Sequence, residues 1–384
     1  MVEWKKLGEI ATVQKKKNKK HITENAYSIT QAGLVPTKSF FKDKTHVTSS
    51  DTSGYYIVEK DWFVYSPSRI DVGSISYLKD EGPVIVSPID VVFSIDKSIC
   101  LPPYLLGYFF TYEGKKNLLK NREGVEGMGR RNLPFDSIKT MPIPIPSLSE
   151  QQRIVETLDT FTASIDNLQE QIAQRRKQYE HYRDQLLDID GKEMDIVPFG
   201  DVCEMIKGNG VQKVDFVENG IGCIHYGQIY TYYGSYTYTT NKFVSKETFE
   251  KAKKASKGDI VMTDTSENVE DICKSVAYLG DDDIAVSNHA LIIKHKQNPR
   301  FLSYSTQTNS FLIQKRKFVV GAKVSGIKPA HLAQIKIYLP NIEEQSRIVS
   351  ILDSFEASIA NLEERLALRQ KQYEYYREKL LTFE

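Results

Sequence analysis

Apolar residues recur at strict 4-3 spacing in two stretches of this chain, and the rest is organised around them. In residues 147–190 the series is Ile154, Leu158, Phe161, Ile165, Leu168, Ile172, Arg175, Tyr179, Tyr182 and Leu186. In residues 341–384 it is Ile348, Leu352, Phe355, Ile359, Leu362, Leu366, Arg369, Tyr373, Tyr376 and Leu380. A 3.5-residue period held this long, with polar residues between, predicts a coiled-coil helix in each stretch. Glu150 corresponds to Glu344, an offset of 194 (344 − 150), and roughly two-thirds of positions are identical from there to Leu187. The two helices are therefore copies of one repeat. Ser147 with Glu150, and Asn341 with Glu344, predict capping boxes directly after Pro146 and Pro340, and Gly191 ends the first helix. At 1.5 Å per residue, a rod of about 40 residues spans roughly 60 Å. Arg175 and Arg369 interrupt both seams at one register. Either each stem packs while its head reaches water, or a polar seam position fixes register or meets a partner protein.

Outside the rods the pattern shortens. Residues 55–58, 62–65, 84–87 and 91–95 are β-branched or aromatic runs between polar turns, which predicts short strands. Pro102 and Pro103 introduce a helix over 104–112, and 127–146 is an extended, proline-rich exit onto the first rod. Residues 197–340 repeat this plan with weaker identity. Leu7-Gly8-Glu9-Ile10 matches Phe199-Gly200-Asp201-Val202, Asp61-Trp62-Phe63-Val64 matches Asp259-Ile260-Val261-Met262, and Pro103-Tyr104-Leu105 matches Pro299-Arg300-Phe301. The expected fold class is α+β: two mixed α/β domains, 1–146 and 191–340, joined by two long antiparallel coiled-coil helices, 147–190 and 341–384. The antiparallel arrangement is expected because the seam of the second rod must be covered, and running back along the first rod does so. A pseudo-two-fold internal repeat with two heads held apart follows. Retained framework residues with changed loops point to one scaffold presenting two different binding surfaces.

Composition narrows the choices. The chain is 384 residues long, 40% hydrophobic and 26% charged, ordinary for a globular protein of two or three domains. No apolar run is long enough to cross a membrane, and the N-terminus lacks a signal-peptide core. Cys100, Cys203, Cys223 and Cys273 form no CxxC pair and read as reduced, buried thiols of a cytoplasmic protein. The seven histidines include no HExxH and no cluster at metal spacing. A net charge of +1 is too balanced for a general basic surface for nucleic acid, so DNA contact is expected through local patches, or with a partner supplying more of the phosphate contacts.

The paired starts of the rods (146–155 and 340–349, Pro-x-x-x-Glu-Gln-x-Arg-Ile-Val), their Lys-Gln-Tyr-Glu-x-Tyr-Arg-x-x-Leu-Leu ends (177–187 and 371–381) and the Leu-Gly-Glu-Ile opening resemble the specificity (S) subunit of type I restriction–modification systems, the HsdS family. The resemblance covers the whole chain and departs from the family only in carrying no extension past the second rod. It implies that each globular part is a target-recognition domain reading one half of a split, asymmetric double-stranded DNA site. It also implies that the helices act as a ruler and dock two modification subunits, adenine-N6 methyltransferases using S-adenosylmethionine. Restriction subunits would add ATP- and Mg-dependent translocation and cleavage. This chain itself would carry no cofactor or metal and would be non-catalytic.

The residues agree with that last expectation. Leu101-Pro102-Pro103-Tyr104 resembles an amino-methyltransferase motif, but that motif needs a polar first residue to accept from the target amine, and leucine cannot. Its counterpart Asn298-Pro299-Arg300-Phe301 is no better, and neither a glycine-rich cofactor loop nor a P-loop is present. Candidate DNA contacts lie in loops. Lys15, Lys16, Lys17, Lys19 and Lys20 form a basic run suited to phosphates, or else a solvated, partly mobile loop. Ser66, Arg69, Arg130, Arg131 and Asn132 suit base readout, since arginine and asparagine make bidentate contacts to guanine and adenine edges. In the second domain Lys207, Asn209, Tyr226, Gln228, His289 and Lys323 hold comparable places, while the tyrosine-rich 230–238 stretch is either a strand–turn–strand packing feature, the reading preferred, or a groove-facing loop. On the rods, Gln171, Arg176, Lys177 and Glu180, with Arg365, Gln370, Lys371 and Glu374, form two equivalent faces for the modification subunits. The alternative is a stand-alone two-headed DNA-binding or scaffold protein without methyltransferase partners.

Overall fold

A computed structural model describes residues 2–40, 51–120, 132–192, 195–320 and 325–383. The chain divides into two compact units, Met1–Gln169 with Glu364–Glu384, and Glu170–Glu363.

The first unit is built on a four-stranded antiparallel sheet of β1 (Ala11–Val13), β2 (Phe63–Tyr65), β3 (Ile75–Tyr77) and β4 (Val91–Ile95), in the order β1-β4-β2-β3. Strand alternation sorts its residues onto two faces. Phe63, Tyr65 and Phe93 face α1 (Pro102–Phe109), with Phe63 and Phe93 stacked at 4.9 Å between centroids. Val64 and Val92 face a second layer made by Tyr56–Val58, Val84–Val86 and Ile29.

The second unit repeats this sheet and adds a strand. β5 (Cys203–Lys207), β6 (Tyr236–Thr237), β7 (Ile260–Thr263), β8 (Ser275–Tyr278) and β9 (Ala290–His295) run in the order β5-β9-β7-β8-β6, with β6 parallel to β8 at the edge. Ile260, Met262, Leu291 and Ile293 face α3 (Pro299–Ser305), and Val261, Val276 and Ile292 face the second layer.

Strand register corrects two of the sequence matches. Phe63 pairs with Phe93 and Ile260 with Ile293, all four on the helix side, so Phe63 corresponds to Ile260. Matching 61–64 to 259–262 is one residue out. With a side-chain period of two, that slip would set Phe63 against Val261, which faces the other way. The helix entries shift likewise. Leu101 N donates to Gln151 Oε1 at 2.8 Å and Asn298 N to Gln345 Oε1 at 3.0 Å, so Pro102, not Pro103, corresponds to Pro299.

The long helices are α2 (Leu148–Leu187) and α4 (Ile342–Leu381). Each unit contains the beginning of one and the end of the other, side by side and antiparallel. In the first unit Phe161 stacks on Tyr376 at 5.1 Å, and in the second Tyr182 stacks on Phe355 at 5.4 Å. Tyr376 is Tyr182, and Phe355 is Phe161, in the repeat, so both units use one register. The capping is half of what the spacing predicts. Glu150 N donates to Ser147 Oγ and Glu344 N to Asn341 Oδ1, but the glutamate side chains pair with Arg153 and Arg347 one turn on. A full positive charge on an exposed side chain outcompetes the lone backbone N–H.

Candidate nucleic-acid interface

β1 and β2 end, and β4 begins, at the same end of the first sheet, so the segments flanking them gather there. The lysine loop is ordered rather than loose. Asn18 is fully buried, its Nδ2 donating to Thr23 O at 2.9 Å and its Oδ1 accepting from Ile22 N at 2.8 Å. Ile57 N donates to Lys16 O at 2.8 Å. Lys15, Lys17, Lys19 and Lys20 project into solvent around this anchor, and exposed Lys16 pairs with Glu59 at 2.6 Å.

The turn after β2 meets the segment before the first rod. Leu133 N donates to Pro67 O at 3.0 Å and Tyr65 Oη to Leu133 O at 2.9 Å, which brings exposed Arg69 and exposed Asn132 to one place. Ser66 is buried, with its backbone bonded to Ser74 and Arg69, so it shapes the turn. Arg130, Arg131 and Lys323 lie outside the described residues. Asp90, just before β4, was not legible in the sequence. It is buried at this end of the sheet, and desolvation pushes its carboxyl up to about 7.

The second unit builds the same end differently. Lys207, at the end of β5, reaches Asp264 Oδ2 at 3.1 Å, and the Asp264 side chain is only 5% exposed. Its Oδ1 is buried without a hydrogen-bond partner among the described residues. This carboxylate holds the exposed ammonium of Lys207 in place. Gly208 is required where it stands, because a Cβ there would lie 2.4 Å from Ser287 O. Asn209 is exposed, with Oδ1 accepting from Lys253 N at 2.9 Å, which leaves its amide NH2 to donate outward. His289 is exposed, takes the left-handed conformation (φ 62°) and meets the half-buried Tyr226 edge-on at 5.4 Å. Gln228 faces inward. It is buried, its Oε1 accepts from His225 N at 2.8 Å and its Nε2 donates to Asn241, so both ends are spent inside the domain. Of the tyrosine-rich stretch, Tyr233 is buried and Tyr236 lies under Arg300, whereas Tyr232 and Tyr238 are exposed.

Each unit thus presents ammonium groups suited to phosphate oxygens beside amide, guanidinium or imidazole donors suited to base edges. The faces on the long helices are also exposed. Gln171, Arg176, Lys177 and Glu180 are at the surface of the second unit, and Arg365, Gln370, Lys371 and Glu374 at the surface of the first. Arg176 is already paired with Glu363 of the opposing helix at 2.5 Å. Among the described residues no helix is long and apolar enough to cross a membrane.

Known proteins share this organisation. The family model of the type I restriction modification DNA specificity domain matches twice, over residues 1–175 and 191–368. A chain named as a type I restriction enzyme specificity subunit of Haemophilus influenzae is 31% identical over 274 residues, 67% of this chain and 68% of that one. A type I restriction enzyme specificity subunit of Escherichia coli is 30% identical over 269 residues, 64% of each chain. The aligned parts therefore span about two thirds of these relatives' own lengths. A chain from a structure of a type I restriction–modification complex superposes with a TM-score of 0.62 at 16% identity, covering 99% of this chain and 97% of its own. The type I S subunit of M. genitalium gives a TM-score of 0.52 at 12% identity, covering 100% and 97%, so both show the same fold. Specificity subunits of this family are non-catalytic. With two copies of the specificity domain on two copies of one helix-and-sheet frame, this chain belongs to the type I restriction–modification DNA specificity family.

Proposed function

We propose that this chain reads a split, asymmetric site in double-stranded DNA, one half with each unit. We propose further that it docks two adenine-N6 methyltransferase subunits on its long helices and, through them, restriction subunits. The assembled cytoplasmic complex would methylate and cleave DNA, with S-adenosylmethionine, ATP and Mg bound by the partners. The observation that carries this reading is the contrast between frame and loops. Strand order, helix entry and helix register repeat between the units, whereas the loops at the open end of each sheet differ in every candidate contact. A scaffold that keeps its core and varies one set of loops is organised for two separate recognition tasks.

Single-molecule methylation mapping with the partner subunits tests it. Replacing residues 1–146 by a homologous domain is expected to change one half of the motif and leave the other half and the gap intact. Lengthening both helices by one heptad adds about 10 Å, roughly three base pairs, and is expected to widen the gap. A swap that changes both halves together would refute the division of labour. Purification without any methyltransferase subunit would favour a stand-alone DNA-binding protein.

A further inference from the structure

The two units differ at the tip of one turn. In the first unit the chain passes from Val84–Val86 into β4 through Ser87-Pro88-Ile89-Asp90, and Asp90 N donates to Ser87 O at 3.1 Å. Pro88 takes the second place of this turn, where its fixed φ is already the one required, so the tip is stiff. Asp90 is buried, whereas Pro88 and Ile89 are exposed, and Ile89 keeps 71% of its surface in water. A lone exposed apolar residue is ordinary on a protein surface, but the place of this one is not.

β4 lies between β1 and β2, so its entry turn stands between the segments that leave those two strands. On one side Gln14 N donates to Val92 O at 2.8 Å, and the lysine run begins at the next residue. On the other, Tyr65 pairs with Val91, and exposed Arg69 follows in the turn that Leu133 closes. The isoleucine is therefore central to the candidate DNA interface. Register identifies its counterpart. Phe93 corresponds to Ile293, an offset of 200 (293 − 93), so Ser87 matches Ser287, Pro88 matches Asn288 and Ile89 matches His289. The second tip is polar at both positions, with Asn288 Oδ1 accepting from Gly210 N at 3.0 Å. One place in the frame thus carries a hydrogen-bonding ring in one unit and a wholly apolar side chain in the other.

We propose that Ile89 is a specificity-determining residue of the first unit and contacts the C5-methyl group of a thymine in the major groove. That methyl is the one apolar group a base pair presents on its major-groove edge, so an apolar side chain carried into the groove has a single complementary partner there. Facing a cytosine amino group instead, it would strip water from a donor and return no hydrogen bond. The lysine run on one side and Arg69 on the other make a phosphate-bearing polymer, rather than an apolar protein surface, the occupant of this end of the sheet. Resting on the DNA reading above, this contact adds to it the identity of one base.

Equilibrium binding of the full chain, with any subunits that co-purify, to duplexes carrying its mapped motif tests the contact. In the half-site assigned to the first unit by domain exchange, each thymine of either strand is replaced in turn by deoxyuridine, which keeps every hydrogen-bonding edge and lacks only the methyl. One replacement is expected to weaken binding about fourfold, the factor that burial of one methyl group corresponds to. Ile89→Ala is expected to weaken binding to the unaltered duplex by a similar factor and to be insensitive to that replacement. The deoxyuridine series on the unaltered protein cannot be mimicked by a folding defect of the variant. Sequence-specific binding in which no replacement matters, or in which the loss persists in Ile89→Ala, would overturn the contact and leave the DNA reading standing, as would a half-site without thymine. Binding without any sequence preference would overturn both.

Discussion

The guanidinium carbon of Arg175 lies 5.8 Å from the ring centroid of Phe355, and the repeat reproduces the relationship, with Arg369 5.7 Å from Phe161. Each arginine also donates to a glutamine one turn on, Gln178 or Gln372. The seam arginines pack their stems, cover an aromatic face of the opposing helix and keep their charge in water. Neither depends on a residue peculiar to one of the two helices.

A fragment of residues 1–192 is therefore expected to form an isologous dimer, in which Arg175 and Tyr182 of one copy meet Phe161 of the other. The Arg176–Glu363 pair would be replaced by Arg176 facing Gln169. That loss is small, because an exposed pair contributes about 0–1 kcal/mol. Sedimentation should give a dimer, and methylation mapping with the partner subunits should give an inverted repeat of the first half-site. A monomer would contradict the interchangeability of the helices.

The lysine loop and the Arg69–Asn132 group should fail in different ways when mutated. Alanines at Lys15, Lys17, Lys19 and Lys20 are expected to weaken binding to every DNA sequence and to flatten its salt dependence. Alanine at Arg69, Arg130, Arg131 or Asn132 is expected to cost about 1–3 kcal/mol where the residue reads a base, and to relax preference at one position. Binding isotherms on matched and mismatched duplexes at several salt concentrations separate the two patterns. Uniform weakening in all variants would make the arginines phosphate contacts.

Burial raises the Asp90 carboxyl from 3.8 to about 7, so the folded state holds its proton more tightly than the unfolded chain does. Stability from this group is fully present below pH ~4 and is lost as pH rises through about 7. Asp90→Asn should remove that dependence and raise the melting temperature of the first unit at pH 8–9, by an amount worth a few kcal/mol at most (about 1.4 kcal/mol per pKa unit). Thermal melts of both proteins between pH 5 and 9 check this. Parallel curves would show that Asp90 is solvated.

Tyr304→Phe removes the hydroxyl shared between Asp353 and Glu356 without changing the ring. Burial already raises the Glu356 carboxyl, so losing a donor leaves it worse solvated. The expected cost is about 1–3 kcal/mol of stability for the second unit, read from urea unfolding. A neutral result would mean that water replaces the hydroxyl.

The 3.5-residue seams are local properties of the chain, so the helices, their 194-residue repeat and their need for an antiparallel cover can be read without coordinates. The two-domain plan follows from them. Which loop residues are free to bind is not local. Gln228 and Ser66 look like surface polar residues in the sequence, yet tertiary neighbours bury them, while Asp90 acquires its raised pKa only from what packs over it. Strand matches by identity slipped by one residue because Asp61 and Asp259 look alike in the sequence, although register sets Asp61 against Gly258. The exposure of Ile89 was equally hidden. In the sequence it is one more apolar residue between two strand runs, and folding leaves it at the tip of the turn that joins them. Periodicity determines what an element must cover, and only packing determines which side chains are left over once it is covered.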